Sequence, residues 1–221
     1  MSAMLDPLRR ELRHGWRRLL SWGLATALLS QVTMLVLLAV RFGELPNYAT
    51  FYDWPGNVLR IIETVPSVRD MGPIIAQEWL LEIGRMNYDY GNGISVWALS
   101  VVPAKLAMLF LLGALAGLAT ALMRRPSCPA SLRGGAGAVT GAGAVLVAMT
   151  NATMSWVVCC ATPNWVVGLA MMGLGTSASL ALEPLGTPLA LAGFGLLALA
   201  ILALSARASR LPSFETEPSH A

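Results

Sequence analysis

The feature that most constrains this chain is the apolar run Leu19–Val40, which arginines close on both sides: Arg17 and Arg18 before it, Arg41 after it. A helix rises 1.5 Å per residue, so such a run covers a hydrocarbon core of about 30 Å. Similar runs lie within Ile94–Met123 and from about Gly135 to Leu204, the latter interrupted at Pro163 and at Leu182–Pro188. Composition agrees. The chain is 56% hydrophobic and 12% charged, where a soluble domain carries about 25% charged residues. The expected fold class is an all-α integral membrane protein. About four transmembrane helices are expected, with five as the alternative, and a periplasmic segment of roughly fifty residues (41–93) between spans one and two.

Charge placement divides the chain. A basic head, residues 1–18, carries Arg9, Arg10, Arg13, Arg17 and Arg18. Transmembrane helix 1 is placed at 19–40. It reads as an uncleaved anchor, because "AVRFGELP" at its end is no small-residue cleavage site. Segment 41–93 holds seven acids against four arginines. Transmembrane helix 2 is placed at 94–123, and a basic loop, 124–134, carries Arg124, Arg125 and Arg133. A membrane region, 135–206, and a disordered tail, 207–221, complete the chain. Arginine-rich segments stay in the cytoplasm, so the head and the basic loop are expected inside and the acidic segment outside. The excess of arginine over lysine, with abundant Ala and Gly, suggests a GC-rich bacterial genome and so an inner (plasma) membrane. Two crossings in 135–206 return Arg207 and Arg210 to the cytoplasm, as the charge rule prefers. Three crossings would put the tail outside.

Within 41–93, "NVLRIIETV" and "PIIAQEWLLEIGRM" place apolar residues three and four apart. Each is expected to form a short amphipathic helix on the membrane surface or over the outer face. Trp54, Trp79 and Trp97 suit an interfacial aromatic belt. "DWPGN" and "YDYGNG" are turn signals that bracket these pieces.

The chemistry-bearing residues cluster late in the chain. Cys159 and Cys160 are adjacent, and Pro163 follows three residues on. Thiolates select Cu⁺, Zn²⁺ and other soft cations. Two neighbouring thiols can share one such ion, whereas a disulfide between adjacent residues is strained. Pro163 removes a backbone donor and is expected to open a helix near the pair. Carbonyls freed inside a membrane need a partner or a wet cavity. The plain alternative is that the cysteines are small buried residues beside a packing kink. Met149, Met154, Met171 and Met172 lie nearby and are thioether candidates, or simply gap fillers.

The stretch "CCATP" resembles the CC-x-x-P of bacterial mercuric ion transporters. The likeness continues through "NWVVGLAMMGLGTSASLA" and "LEP" into a further apolar span. It covers about residues 137–205 and leaves about 135 N-terminal residues unassigned. The resemblance implies that Cys159 and Cys160 accept Hg²⁺ from the periplasmic side and pass it to cytoplasmic thiols. A second cysteine pair is lacking, and Cys128 in the basic loop is the one candidate relay. The cargo implied is a soft ion, Hg²⁺ or Cu⁺.

Two further residues are candidates. Lys105 is the only lysine. It lies deep in the bilayer if span two starts at Ile94, or snorkels at the outer interface if the span starts near Pro103. Glu183 is the only acid between Asp89 and Glu215. It attracts cations at a helix junction or caps one. Gly113 and Gly117, and the spacing of Gly137, Gly141 and Ala144, suit close helix contacts. No catalytic set is found. His14 and His220 sit in terminal segments, and no phosphate-binding loop with a lysine occurs. The basic residues flank apolar spans and form no nucleic-acid stripe. Beyond the lipid bilayer, the partners expected are a periplasmic metal donor or the subunits of a membrane complex. Two functions follow: a soft-metal ion carrier, or an accessory subunit of a larger complex with no cargo of its own.

Overall fold

A computed structural model describes residues 2–89, 91, 93–124, 130–152, 154–156, 166 and 181–208. Among these, three helices are long and apolar enough to cross a membrane. They are α2 (Trp16–Phe42), α5 (Pro103–Met123) and the stretch Gly186–Ala206 of α7 (Gly186–Ala208). A fourth long helix, α6 (Ala130–Thr150), has a shorter apolar part, Gly137–Thr150. Helix α1 (Ser2–His14) precedes α2. Many large apolar side chains of α2 stand exposed, Leu29 at 68% and Val40 at 74% among them. Water does not suit such a surface, and lipid does.

Three apolar layers stack along the bundle. At one end Leu8 of α1 and Leu19 of α2 pack against Leu118, Leu122, Ile201 and Leu204. In the middle Ala27, Leu109, Leu112, Val147 and Leu197 meet. At the far end Leu38 packs with Met149 and Leu189. The end of α2, the start of α5, the end of α6 and the start of α7 therefore share that far end. Close backbone approach holds the helices together. A Cβ on Gly143 of α6 would lie 2.7 Å from the carbonyl oxygen of Gly193 in α7. Gly113 seats Thr26 and the Trp22 carbonyl of α2, and Gly117 seats the Trp22 side chain. The spacing of Gly137 and Gly141 marks no such contact, for a Cβ on either would meet nothing within 4 Å.

The all-α expectation needs correcting at the far end, where a four-stranded antiparallel sheet sits in the order β1-β2-β3-β4. Its strands are β1 (Tyr48–Phe51), β2 (Leu81–Asn87), β3 (Ile94–Val101) and β4 (Met154–Trp156). The apolar run expected as one helix over 94–123 is two elements. Ile94, Val96, Trp97 and Val101 are β-branched or aromatic and suit a pleated surface. The helix begins only at Pro103, whose missing N–H costs nothing in a first turn. Likewise "PIIAQEWLLEIGRM" is not one helix. Its first part belongs to α4 (Val68–Ile75), and Leu81–Asn87 is strand β2, paired on both sides. Trp97, expected in an interfacial belt, is fully buried against Leu38 and Leu99.

Element bounds also move elsewhere. Helix α2 starts at Trp16, within the expected head; α6 starts at Ala130, within the expected loop; and α7 reaches Ala208. "DWPGN" starts a helix rather than a free turn. Asp53 caps α3 (Trp54–Thr64), its Oδ1 accepting from the Gly56 N–H at 3.1 Å. Gly91 and Gly93, in the "YDYGNG" link between β2 and β3, both have φ above 80°. A bulge follows Arg85 in β2. There the Asn47 side chain stands in for a strand, donating to the Met86 carbonyl at 2.9 Å and accepting from its N–H at 2.8 Å.

Candidate functional site

Cys159, Cys160, Pro163 and Cys128 lie outside the described residues, as do Met171 and Met172. What is described is how the chain approaches them. Helix α6 ends at Thr150, well before Pro163. Its last turn is wrapped by its own polar residues. The Asn151 side-chain amide donates to the Val147 carbonyl at 2.7 Å, and the Thr150 hydroxyl donates to the Leu146 carbonyl at 3.0 Å. Thr150 and Asn151 are polar residues in a strongly apolar tract. They close α6, because their short side chains satisfy its final carbonyls. The chain then enters β4, where Trp156 lies opposite Trp97 and Met154 opposite Leu99. Region 135–206 is therefore not helical throughout, since strand pairing claims Met154–Trp156. Met149 packs in the apolar layer with Leu38 and Trp97.

The flanks of the candidate thiols sit at opposite ends of the bundle. Trp156, three residues before Cys159, belongs to the sheet. Ala130, two residues after Cys128, begins α6 at the arginine-bearing end. Helix α6 separates these ends by about 30 Å. Among the described residues no three His, Cys, Asp or Glu side chains group to hold a metal ion.

The structure does gather polar groups at the end of α6. A cleft of about 370 Å³ opens between α4, the first turn of α5, the end of α6 and the start of α7. Lys105, Gln77, Thr150, Asn151 and Thr187 contribute its polar lining; Met108, Leu191 and Phe194 contribute an apolar side. Lys105 occupies the first turn of α5, since that helix starts at Pro103. Glu183 belongs to a 3-10 turn, Glu183–Leu185, that leads into α7.

A second polar cluster braces the sheet. The Tyr48 hydroxyl donates to Glu82 Oε1 at 2.7 Å, and the Tyr52 hydroxyl to Glu82 Oε2 at 2.6 Å. Burial first, and then donation to the Glu82 carboxylate, push both phenols up to about 12. Tyr52 also meets the Trp79 ring edge-on, and Asn57 donates to Glu78 at 2.7 Å. Sequence reasoning missed this cluster. The alternation "YATFY" carried a faint sign of it, but the shared carboxylate lies 34 and 30 residues away. No known protein family, curated protein or solved structure matches this chain.

Proposed function

We propose that this chain is a soft-metal ion transport or transfer protein of the bacterial inner membrane, with Cys159 and Cys160 as its acceptor. The carrying observation is the vicinal thiol pair, which follows strand β4 by three residues. Pairing of β4 with β3 ties the approach to the pair to the sheet end of the bundle. A soft cation taken there by two thiolates releases the thiol protons.

The proposed topology has four crossings with a cytoplasmic N-terminus. Two placements support it. The end of α6 and the start of α7, which flank segment 151–185, pack together at one end of the bundle. Arg9, Arg10, Arg13, Arg17, Arg18 and Arg124 belong to α1, the start of α2 and the end of α5, at the opposite end, while segment 41–93 at the sheet end holds seven acids against four arginines, Arg41 in the last turn of α2 among them. The positive-inside rule then puts the sheet in the periplasm, facing a metal donor. Cys128 serves as the relay thiol on the cytoplasmic side.

The test is uptake of Hg²⁺ or Cu⁺ by cells expressing the wild type or C159S/C160S. Uptake should fall to background in the double variant and partly in C128S. Unchanged uptake in C159S/C160S removes the transport reading. With the protein then recovered as a stable hetero-complex, the accessory-subunit reading would replace it.

A further inference from the structure

We infer that the Lys105 cleft holds the headgroup of an anionic phospholipid. Lys105 has no ion-pair partner among the described residues, whose salt bridges are Arg18–Glu11 and Arg85–Glu44. The described residues that line the cleft include no acid. A half-buried ammonium without a counter-charge is unfavourable, and an anion in the cleft would relieve it.

The shape of the cleft selects among anions. Asn151, only 4% exposed, lines it close to the end of α6, so the polar part is built into the fold. Its other side is apolar and opens outward: Met108 is 46% exposed and Leu191 68%. Both stand on helices apolar enough to span a membrane. A ligand with a negative head and a hydrocarbon chain uses both parts, with the head on Lys105 and the chain along Leu191. Free phosphate leaves the apolar side unused. Phosphatidylcholine brings its own cation against the ammonium, so a net negative headgroup such as phosphatidylglycerol fits the charge.

The full-length protein is placed in nanodiscs of equal phosphatidylglycerol and phosphatidylcholine, and retained lipid is read by native mass spectrometry. The wild type should retain phosphatidylglycerol in preference to phosphatidylcholine, and excess inorganic phosphate should not displace it. K105Q should weaken retention by about tenfold or more, the loss of one charge-assisted hydrogen bond. A190W, which fills the cleft wall while keeping Lys105, should also lose the lipid. Equal retention of the two lipids by the wild type overturns the proposal. So does undiminished phosphatidylglycerol on K105Q, and displacement by phosphate would mark a free-anion site instead. Should K105Q fail to fold, the wild-type lipid preference and A190W decide the matter.

Discussion

The helical bundle and the sheet layer are held together by different forces. In the bundle the contacts are apolar and close: Leu38, Leu109 and Leu197 are at most 1% exposed, and Gly143 meets Gly193 backbone to backbone. In the sheet layer carboxylates act as junctions. Glu82 joins two tyrosines to β2, and Glu78 joins α3 to the chain before β2. Lipid supplies little hydrophobic drive between helices, so shape complementarity decides their packing. A sheet must instead pair its buried polar groups one by one. Damage to one region should therefore differ in kind from damage to the other.

The largest expected effect is steric. Gly143→Leu pushes a side chain into the Gly193 carbonyl and should cost about 3 kcal/mol or more. Gly141→Leu, two residues away on an open face, should change stability by less than about 0.5 kcal/mol. Thermal melting in detergent separates the two. Equal melting points would mean that the α6–α7 crossing is not at Gly143.

Next comes loss of the carboxylate junction. Glu82→Ala leaves both phenols without their acceptor and should cost about 1–2 kcal/mol. The loss should appear as faster proteolysis within 41–101, with the α-helical circular dichroism preserved. A uniform loss of helix would show that the two regions do not separate.

The smallest effect is titration. Tyr48 and Tyr52 stay protonated to about 12 in the folded chain, against an ordinary value of 10.0. The folded state therefore binds more protons than the unfolded state between those values. Stabilisation from these hydroxyls is complete below pH 10 and declines as pH rises toward 12. Absorbance titration should reveal a late tyrosinate fraction that Y48F/Y52F removes. A wild type whose tyrosines all ionise together near pH 10 would contradict the buried, Glu82-bound geometry.

The candidate site was legible in unequal measure. Lys105 drew notice as the single lysine, at the edge of an apolar run. That it shares a cleft with Asn151 and Thr187 was not legible, because those residues come from three different helices and loops. The pair Cys159 and Cys160 is plain in the sequence, yet the course of α6 toward it was misread. The apolar tract around Thr150 hid a helix end that local side-chain hydrogen bonds create.

The sequence alone determined that long apolar helices dominate the chain and where its charges fall. Hydropathy is a local sum over about twenty residues, and it needs no knowledge of neighbours. Only the tertiary structure decided that Ile94–Val101 is a strand and that Trp97 is buried. It alone brought Glu82 to two distant phenols and the two flanks of segment 151–185 to one end of the bundle. Strand pairing and helix-end convergence depend on partners tens of residues apart, and the same apolar residues satisfy a helix or a strand until those partners are in place.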